Sequence, residues 1–357
     1  MDVQRSFFRS GFALSLLDCS ACNPAPDAAG ARQVAVWQGQ TMGTTYTVKV
    51  AGAAIPELQR QQLQDAIDEQ LDRVNELMST YLASSELSRF NQSDGSDAFP
   101  LSPETVEVFT VARGVGSLSG GALDVTVGPL VNAWGFGPRG KPPHPPSALE
   151  LKRLRALVGW DKIILDESRS TIRKTDPEVY CDLSAVAKGY AVDRVSETLS
   201  GLGYVEHMVE VGGEVRAHGR NLDGRPWRIG VEKPLNGESI VQRAVPLENR
   251  AMATSGDYRN YYEEGGRRVS HEIDPRTARP IEHRLASVTV VAERCVEADA
   301  LATALIVLGE DAGFRLAAEH DLAALFLVRE GGGFVEKASP RFEELFTTAG
   351  EKAAVSQ

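Results

Sequence analysis

The stretch of this chain best suited to chemistry is Asp182–Tyr190, which reads Asp-Leu-Ser-Ala-Val-Ala-Lys-Gly-Tyr. Tyr180 and Cys181 have the composition of a strand end, and Ser184 is a favoured N-cap for a helix that should run to Gly201. A strand that passes into a helix presents backbone N–H groups and the positive end of the helix dipole, which suit an anionic ligand or a metal–phosphate group. Taken alone, however, the pattern is better explained as an ordinary turn.

A carboxylate and a hydroxyl four residues apart form the second stretch of interest. Asp299 and Thr303 would share one face of a helix that is predicted from Glu297 to Leu308 and should end at Gly309. Both are hard oxygen donors, and together with a main-chain carbonyl and water they would suit Mg²⁺. The alternative is that Asp299 stabilises the helix dipole while Thr303 bonds back to a carbonyl. On these two residues alone we prefer that alternative.

Other polar positions could take part in the same chemistry. His271 could accept a proton near neutral pH, and Asp274, directly before Pro275, could orient a partner or begin a turn. Residues 254–258 are predicted to form a polar loop that either binds phosphate or only reverses the chain. Asp124 is the single acid in an apolar run, so it must be paired or functional.

The elements that must position these residues mix long helices with hairpin-like strands in no regular alternation, which indicates an α+β fold rather than a doubly wound sheet. Hydrophobic spacing and capping residues predict helices over residues 56–78, 103–119, 148–158, 184–200 and 297–308, with a short one after residue 339. Apolar alternation predicts strands over residues 34–37, 45–50, 163–165, 171–174, 206–211, 214–217, 227–232, 242–247, 288–292 and 323–328.

Composition limits the class of protein. With 42% hydrophobic and 24% charged residues among 357, the chain should bury a normal globular core. A formal net charge of −11, without a stripe of lysine and arginine, argues against a nucleic-acid-binding surface. An acidic protein that takes an anionic substrate needs a cation or a few well-placed basic groups.

The N-terminal residues differ from the rest of the chain. Arg5 and Arg9 precede the apolar residues 11–17, a run too short to span a bilayer but suited to a secretory signal. Cys19 or Cys22 would then be the lipidation site of a bacterial lipoprotein, although neither matches that pattern fully. A redox or zinc pair is the weaker interpretation of these two cysteines because no second ligand pair accompanies them.

We therefore expect three parts in the chain. These are a leader over residues 1–22, a tether over residues 23–33 and one domain over residues 34–350. Within the domain, Cys181 and Cys295 lie among apolar neighbours, as free buried thiols or as a disulfide.

Several short motifs occur in an order that resembles the ApbE family, the FAD:protein FMN transferases. They are Thr41–Thr44, Ser79–Tyr81, Ser85–Asn91, Ala122–Leu130, Trp134–Gly137, Asp182–Tyr190, Val211–Gly213, Ala253–Gly256, Ile273–Pro275 and Ala298–Ala304. Each motif alone is weak, but so many in one order are specific. The resemblance extends from about residue 34 to about residue 346.

This resemblance implies an ApbE-like, T-fold-related α+β domain with mixed and antiparallel sheets, flanking helices and a smaller lobe. It also implies an enzyme that transfers the FMN part of FAD to a threonine hydroxyl of an acceptor protein and releases AMP, with Mg²⁺ as cofactor. The implied metal ligands are the carbonyl oxygen of Ala185 and the side chains of Asp299 and Thr303. The implied FAD contacts are Met42, Tyr81, Ala122, Leu123, Asp124, Asp182, Lys188 and Ile273.

If FAD is the substrate, Lys188 could pair with a phosphate, His271 is the candidate acceptor of the threonine proton, and Asp274 is a second catalytic candidate. The implied partners are acceptor proteins of electron-transport complexes, such as those resembling the sodium-pumping quinone reductase. They would meet a lipid-anchored enzyme on the periplasmic face of the bacterial inner membrane. Two alternatives stay open: an FAD pyrophosphatase in which water replaces the acceptor, and a flavin-binding lipoprotein without chemistry.

One position departs from the family pattern. Ala278 follows Thr277 where the family usually has glycine. If that turn requires a positive φ, which glycine adopts without strain, the local backbone of this chain should differ.

Overall fold

The structure, a computed structural model, describes residues 32–346 with the exception of residues 96, 236–239 and 259. The predicted leader over residues 1–22, with both of its cysteines, lies outside the described residues, as does most of the tether. In the described part of the chain, no helix combines the length and the apolar character needed to cross a membrane.

The helices cover most of the predicted ranges. They are α1 (Glu57–Met78), α2 (Glu86–Gln92), α3 (Pro103–Leu118), α4 (Gly128–Trp134), α5 (Ala148–Arg155), α6 (Ser184–Gly201) and α7 (Cys295–Glu319), followed by a helical segment at 340–346. Two of these helices, α3 and α5, begin at predicted capping residues. The hydroxyls of Ser102 and Ser147 accept hydrogen bonds from the backbone of their first turns.

An antiparallel sheet of eight strands forms the centre of the fold, in the order β1-β2-β6-β7-β10-β15-β16-β17. Its strands are β1 (Gln33–Thr41), β2 (Thr44–Gly52), β6 (His207–Val211), β7 (Glu214–His218), β10 (Arg250–Gly256), β15 (Leu285–Ala292), β16 (Ala323–Glu330) and β17 (Gly333–Ala338). Smaller sheets contain β3 (Phe99–Pro100), β4 (Ile163–Asp166), β5 (Thr171–Lys174), β8 (Trp227–Glu232), β9 (Val241–Leu247), β11 (Tyr261–Glu264), β12 (Arg267–Ser270), β13 (Ile273–Asp274) and β14 (Arg279–Pro280). The predicted α+β class is confirmed.

Both faces of the main sheet are covered. Along β16, Phe326 faces the core that the sheet shares with α1, α3, α6 and α7, whereas Leu325 and Leu327 face the opposite side. That opposite side is covered by the hairpin β8–β9 and by the segment at 340–346, which contribute Trp227 and Phe342. A third hydrophobic cluster joins α4 and α5 to residues 269–278.

The chain just before α6 is not the predicted strand. Tyr180 and Cys181 pair with no neighbouring strand. Instead, the side-chain amide of Asn91 donates to the Cys181 carbonyl at 2.8 Å and accepts from the Cys181 N–H at 2.7 Å. Nor does Ser184 cap the helix: its own N–H and hydroxyl donate to Oδ1 of Asp182, at 2.8 and 2.5 Å. Asp182 therefore fixes the turn that leads into α6.

Two other local predictions need correction. The helix α7 is interrupted at Gly309, as expected, but helical structure resumes and continues to Glu319. Residues 254–256 are not a loop, since they belong to β10, and the hydroxyls of Thr254 and Thr289 on adjacent strands are 2.8 Å apart. Cys181 and Cys295 are both buried and free, so they form no disulfide.

The turn at Ala278 keeps the left-handed conformation despite the missing glycine. Ala278 has φ 62°, its N–H donates to the carbonyl of Asp274 at 2.9 Å, and its carbonyl accepts from the indole N–H of Trp134 at 3.0 Å. The expectation of a different local backbone was wrong. The surrounding hydrogen bonds hold an alanine where φ carries a steric penalty.

We expect Ala278→Gly to raise the free energy of unfolding by about 0.5–1 kcal/mol, because relief of the left-handed strain exceeds the entropic cost of glycine. Denaturant unfolding measures the change. Ala156→Gly is the matched control: Ala156 is exposed with φ −69°, so this substitution should slightly destabilise the protein. A loss of stability in both variants would contradict the presence of strain at Ala278.

Candidate active site

One cavity of about 700 Å³ collects most of the residues predicted to do chemistry. The β1–β2 turn, the first turns of α6, the β6–β7 turn, β8, β10 and the N-terminal part of α7 all contribute to its wall. Its volume falls in the range of roughly 300–1,000 Å³ that is typical of cofactor and small-molecule sites. The cavity is therefore the candidate active site.

Helices α6 and α7 meet at this cavity. The backbone N–H of Gly189 donates a hydrogen bond of 2.9 Å to Oδ2 of Asp299. In an α-helix the same N–H points toward the carbonyl oxygen four residues earlier, which here belongs to Ala185. The carboxylate of Asp299 thus approaches the Ala185 carbonyl, and both residues line the cavity. Two segments that are distant in sequence can therefore act on one ligand.

Glycine at position 189 allows this close approach. A Cβ atom there would lie 2.4 Å from the carbonyl oxygen of Cys295 and 2.8 Å from the Cβ of Asp299. Both distances are shorter than a non-bonded contact, and the first involves backbone that cannot rotate away. A larger residue would force α6 and α7 apart.

We expect Gly189→Ala to lower the free energy of unfolding by about 1–3 kcal/mol, the usual cost of overpacking a core. Gly201→Ala, in the same helix, is the control: nothing lies within 4 Å of a Cβ at that position, so it should be neutral or slightly stabilising. Denaturant unfolding of both variants measures the difference. Equal stabilities would show that the two helices tolerate a side chain between them.

Lys188 and two buried carboxylates form a charged group in the cavity wall. The Lys188 ammonium lies 2.5 Å from Oε1 of Glu214. Burial alone would lower the pKa of Lys188, but the charges of Glu214 and Asp299 outweigh this effect and raise it. Burial also raises the pKa of Glu214 and of Asp299, although Lys188 opposes both shifts. One ammonium group therefore lies opposite two buried carboxylates, so the site has less positive than negative charge.

This deficit of positive charge suits the binding of a cation. Oε2 of Glu214 is buried and has no hydrogen-bond partner among the described residues. In that same part of the chain, no group of three or more histidine, cysteine, aspartate or glutamate side chains is arranged to hold a metal. The set of Ala185, Asp299 and Thr303 is of another kind, with one carboxylate, one hydroxyl and one carbonyl. Such hard oxygen donors fit Mg²⁺, which completes its shell with water and substrate phosphate.

The carboxylates of Asp124 and Asp182, two of the predicted FAD contacts, accept hydrogen bonds within their own turns. Oδ1 of Asp124 accepts from the N–H of Thr126 at 2.9 Å and from its hydroxyl at 2.6 Å. Burial raises the pKa of Asp124, and these hydrogen bonds oppose the rise. Asp182 is only half-buried, and it holds Ser184 in the same manner. Both carboxylates line the cavity, so their remaining acceptor sites can face a ligand.

Of the two residues predicted to be catalytic, His271 lines the cavity and Asp274 does not. The carboxylate of Asp274 pairs with the guanidinium of Arg276 through two contacts of 2.9 Å and also accepts from the Arg276 N–H at 2.8 Å. Asp274 thus fixes the turn that follows the strand β13, close in sequence to His271.

Aromatic and apolar side chains form another part of the wall. Tyr81 is 70% exposed, and its hydroxyl donates to the carbonyl of Phe136 at 3.3 Å. Phe136 stacks on Tyr262 with ring centroids 5.4 Å apart. Met42 has φ 49° in the two-residue turn between β1 and β2. These surfaces suit flat rings, with Tyr81 exposed enough to move onto a ligand.

Of the residues predicted from the sequence, all except Asp274 line the cavity. They are Met42, Tyr81, Ala122, Leu123, Asp124, Asp182, Ala185, Lys188, His271, Ile273, Asp299 and Thr303. The sequence analysis did not single out the buried acids Glu214 and Glu272. Glu214 follows a glycine pair at the start of a mostly apolar strand, and an isolated acid in that context is the signal that could have found it.

Comparison with known proteins identifies the family. A model described as the ApbE family matches residues 42–326, which is most of the chain. The chain belongs to the ApbE family. It is accordingly an enzyme of the transferase class, as the motifs implied. The match begins at the β1–β2 turn and ends within β16, so it includes every element that lines the cavity.

Individual relatives cover nearly the whole chain. The FAD:protein FMN transferase of Haemophilus influenzae is 46% identical over 314 residues, which are 87% of this chain and 91% of that protein. The protein of the same name from Escherichia coli strain K12 is 38% identical over 350 residues, 97% and 99% of the two chains. The structure of the flavin transferase ApbE from Vibrio cholerae is similar with a TM-score of 0.81 and 44% identity, covering 88% of this chain and 100% of that one.

Proposed function

We propose that this ApbE-family protein transfers the FMN part of FAD to the hydroxyl of a threonine in an acceptor protein and releases AMP, with Mg²⁺ as cofactor. The observation that carries this proposal is the hydrogen bond between Gly189 and Asp299, which brings two family motifs together in the wall of one cavity. Relatives named FAD:protein FMN transferase, similar over most of their length, support the same reaction.

The proposed reaction is a phosphoryl transfer. The threonine Oγ attacks the phosphorus of the FMN half of FAD, and a new P–O bond forms while the bond to the bridging oxygen of the pyrophosphate breaks. The bridging oxygen leaves with AMP. His271, which lines the cavity, accepts the proton of the threonine.

The other residues bind and orient FAD. Lys188, held by Glu214, places a fixed positive charge beside the phosphates. Met42 and Tyr81 supply apolar and stacking surface for the rings, and Ala122, Leu123, Asp124, Asp182 and Ile273 complete the proposed FAD contacts. Asp274 acts by holding the turn after His271.

Ala185, Asp299 and Thr303 would hold the Mg²⁺ ion. When bound, the ion neutralises the negative charge that otherwise repels an attacking hydroxyl. Asp299 and Thr303 are presented together by one turn of α7, and Ala185 is presented by the first turn of α6. The ion would also supply the positive charge that the buried carboxylates lack.

Incubation of residues 30–357 with FAD, Mg²⁺ and a candidate acceptor tests this function. The proposal expects the acceptor to gain the mass of one FMN, and it expects a chelator to abolish the gain. Free FMN and AMP without a modified acceptor would instead identify an FAD pyrophosphatase. Unchanged FAD would indicate a flavin-binding protein without chemistry.

We propose that a lipid on Cys19 or Cys22 anchors the protein at the periplasmic face of the bacterial inner membrane. The acceptor proteins would belong to electron-transport complexes. The short apolar run after two arginines supports this location. Labelling of cells with a radioactive fatty acid tests it. The anchor is supported if the wild-type protein is labelled and the label is lost when one of these cysteines is replaced. An unlabelled wild-type protein would contradict the anchor.

A further inference from the structure

The hydroxyl of Thr303, one of the three proposed metal ligands, contacts a second hydroxyl in the cavity wall. Oγ1 of Thr303 lies 3.1 Å from Oγ of Ser255, a hydrogen bond in which either oxygen can be the donor. Ser255 belongs to β10 and is only 9% exposed, and both residues line the cavity. The sequence analysis connected this segment with phosphate binding or with a turn, and not with the metal site.

The backbone on both sides of this contact is fixed. Ser255 lies within the paired part of β10 and β15. Its side chain is on the same face of the sheet as that of Ala253, which packs in the core that the sheet shares with α7. On α7, Thr303 follows one turn after Asp299, whose carboxylate is held by the N–H of Gly189. The two hydroxyls therefore start from defined positions.

The proton of the Thr303 hydroxyl needs an acceptor if the oxygen is to bind a cation. A hydroxyl has one proton and two lone pairs, and a cation is bound by a lone pair, so the proton must point away from it. A threonine in a helix divides between two χ1 rotamers, because its hydroxyl can also bond back to a carbonyl of the preceding turn. The contact with Ser255 favours the rotamer observed here.

We propose that Ser255 is a positioning residue for the metal ligand Thr303. Its Oγ accepts the proton of the Thr303 hydroxyl, so that a lone pair of that hydroxyl faces the cavity and can bind Mg²⁺. Partners that orient a metal ligand without touching the metal typically change metal affinity or activity by about 10- to 100-fold. This inference deepens the proposed function and rests on its metal site.

Two other roles for Ser255 predict different results, because this residue also lines the cavity. As a direct contact of the FAD phosphates, it would act on the affinity for FAD in the absence of Mg²⁺. As an additional metal ligand, it would act on Mg²⁺ binding whether or not Thr303 keeps its hydroxyl. A positioning residue acts on Mg²⁺ binding only through Thr303, so a double-mutant cycle separates these roles.

Calorimetric titration of Mg²⁺ into the protein with FAD, and without an acceptor, is the main test. We expect Ser255→Ala to weaken Mg²⁺ binding roughly 10- to 100-fold. The affinity for FAD, measured with a chelator present, should not change. With an acceptor present, the Mg²⁺ concentration for half-maximal transfer should rise, while kcat at saturating Mg²⁺ stays close to the wild-type value. An unchanged Mg²⁺ affinity, or a weaker affinity for FAD, would overturn the proposal.

The matched control is Ser287→Ala, the same substitution on the adjacent strand β15. Ser287 lies opposite Gly256 in the sheet and is buried, and its hydroxyl has no hydrogen-bond partner within the described part of the chain. Its removal breaks no hydrogen bond and should leave the Mg²⁺ affinity unchanged. An equal loss of Mg²⁺ affinity in both variants would indicate a general disturbance of the sheet and would count against the proposal.

The double-mutant cycle uses Thr303→Val, which removes the hydroxyl with little change in size. In this background, Ser255→Ala should cause no further loss of Mg²⁺ affinity. Additive losses would show that Ser255 binds the ion itself, and the positioning role would then be wrong.

A second readout needs neither metal nor transfer. In protein with ¹³C-labelled threonine methyl groups, with Thr303 assigned by its loss in Thr303→Val, three-bond couplings report its χ1 angle. We expect one rotamer in the wild type and averaging between two in Ser255→Ala. An averaged wild type, or a wild type that binds no Mg²⁺, would contradict the proposal. If Mg²⁺ binds with the expected pattern but no FMN is transferred, the proposed function fails while the role of Ser255 is supported.

Discussion

Asp299→Asn is expected to slow FMN transfer by roughly 10³-fold, because it removes the single carboxylate from the proposed metal ligands. A bound cation contributes several kcal/mol to a phosphoryl transfer, and each 1.36 kcal/mol corresponds to about a tenfold change in rate. The amide oxygen of asparagine can still accept the hydrogen bond that the Gly189 N–H gives to Asp299. The fold should therefore survive while the metal is lost.

Mass spectrometry of the acceptor at several Mg²⁺ concentrations measures this effect. The control is Asp311→Asn, which removes an exposed carboxylate from the later part of α7 and should leave the rate unchanged. Asp299→Asn should also abolish the calorimetric signal of Mg²⁺ binding. A variant that binds Mg²⁺ and transfers FMN at the wild-type rate would remove Asp299 from the metal site.

His271→Ala is expected to lower kcat by roughly 10²- to 10⁴-fold, the usual contribution of a general base. The binding of FAD should change little, because the proposed contacts with its phosphates and rings come from other residues. Stopped-flow or quench measurements at saturating FAD give kcat, and flavin fluorescence gives the affinity.

The matched substitution for His271→Ala is His320→Ala, at an exposed histidine beyond the end of α7. It should retain both kcat and FAD affinity. If His271→Ala retained the full rate, the threonine proton would have to pass to another group or to water. A loss of FAD affinity alone would instead make His271 a binding residue.

Local chemistry made much of the fold predictable. Alternating apolar residues located the β1–β2 hairpin, and the spacing from Leu63 to Met78 predicted the buried stripe of α1. Capping by Ser102 and Ser147 follows from contacts within one helical turn, so the sequence contains all the information needed. The same holds for the interruption of α7 at Gly309, although helical structure beyond it was missed.

Contacts between distant residues were not predictable in this way. Asn91 takes the place of a neighbouring strand for Cys181, which lies 90 residues away. Lys188 is held by Glu214 on another element, and no spacing rule connects them. Ala278 adopts a conformation that its residue type disfavours, because hydrogen bonds from the surrounding turn hold it there.

The candidate site was located mainly through its resemblance to a family. Spacing alone placed Asp299 and Thr303 on one helix face, but it did not show that the first turns of α6 reach Asp299. The tertiary structure supplies that proximity through Gly189, whose N–H reaches Asp299 across 110 residues. It also separates Asp274 from the cavity that His271 lines.

Anomalous diffraction from crystals grown with FAD and Mn²⁺, an electron-rich substitute for Mg²⁺, tests the shared cation directly. We predict one strong peak at a coordination distance of roughly 2.0–2.2 Å from the Ala185 carbonyl oxygen, the Asp299 carboxylate and the Thr303 hydroxyl, and beside the pyrophosphate. A peak bound by other residues, or an ordered FAD with no peak between α6 and α7, would contradict the account.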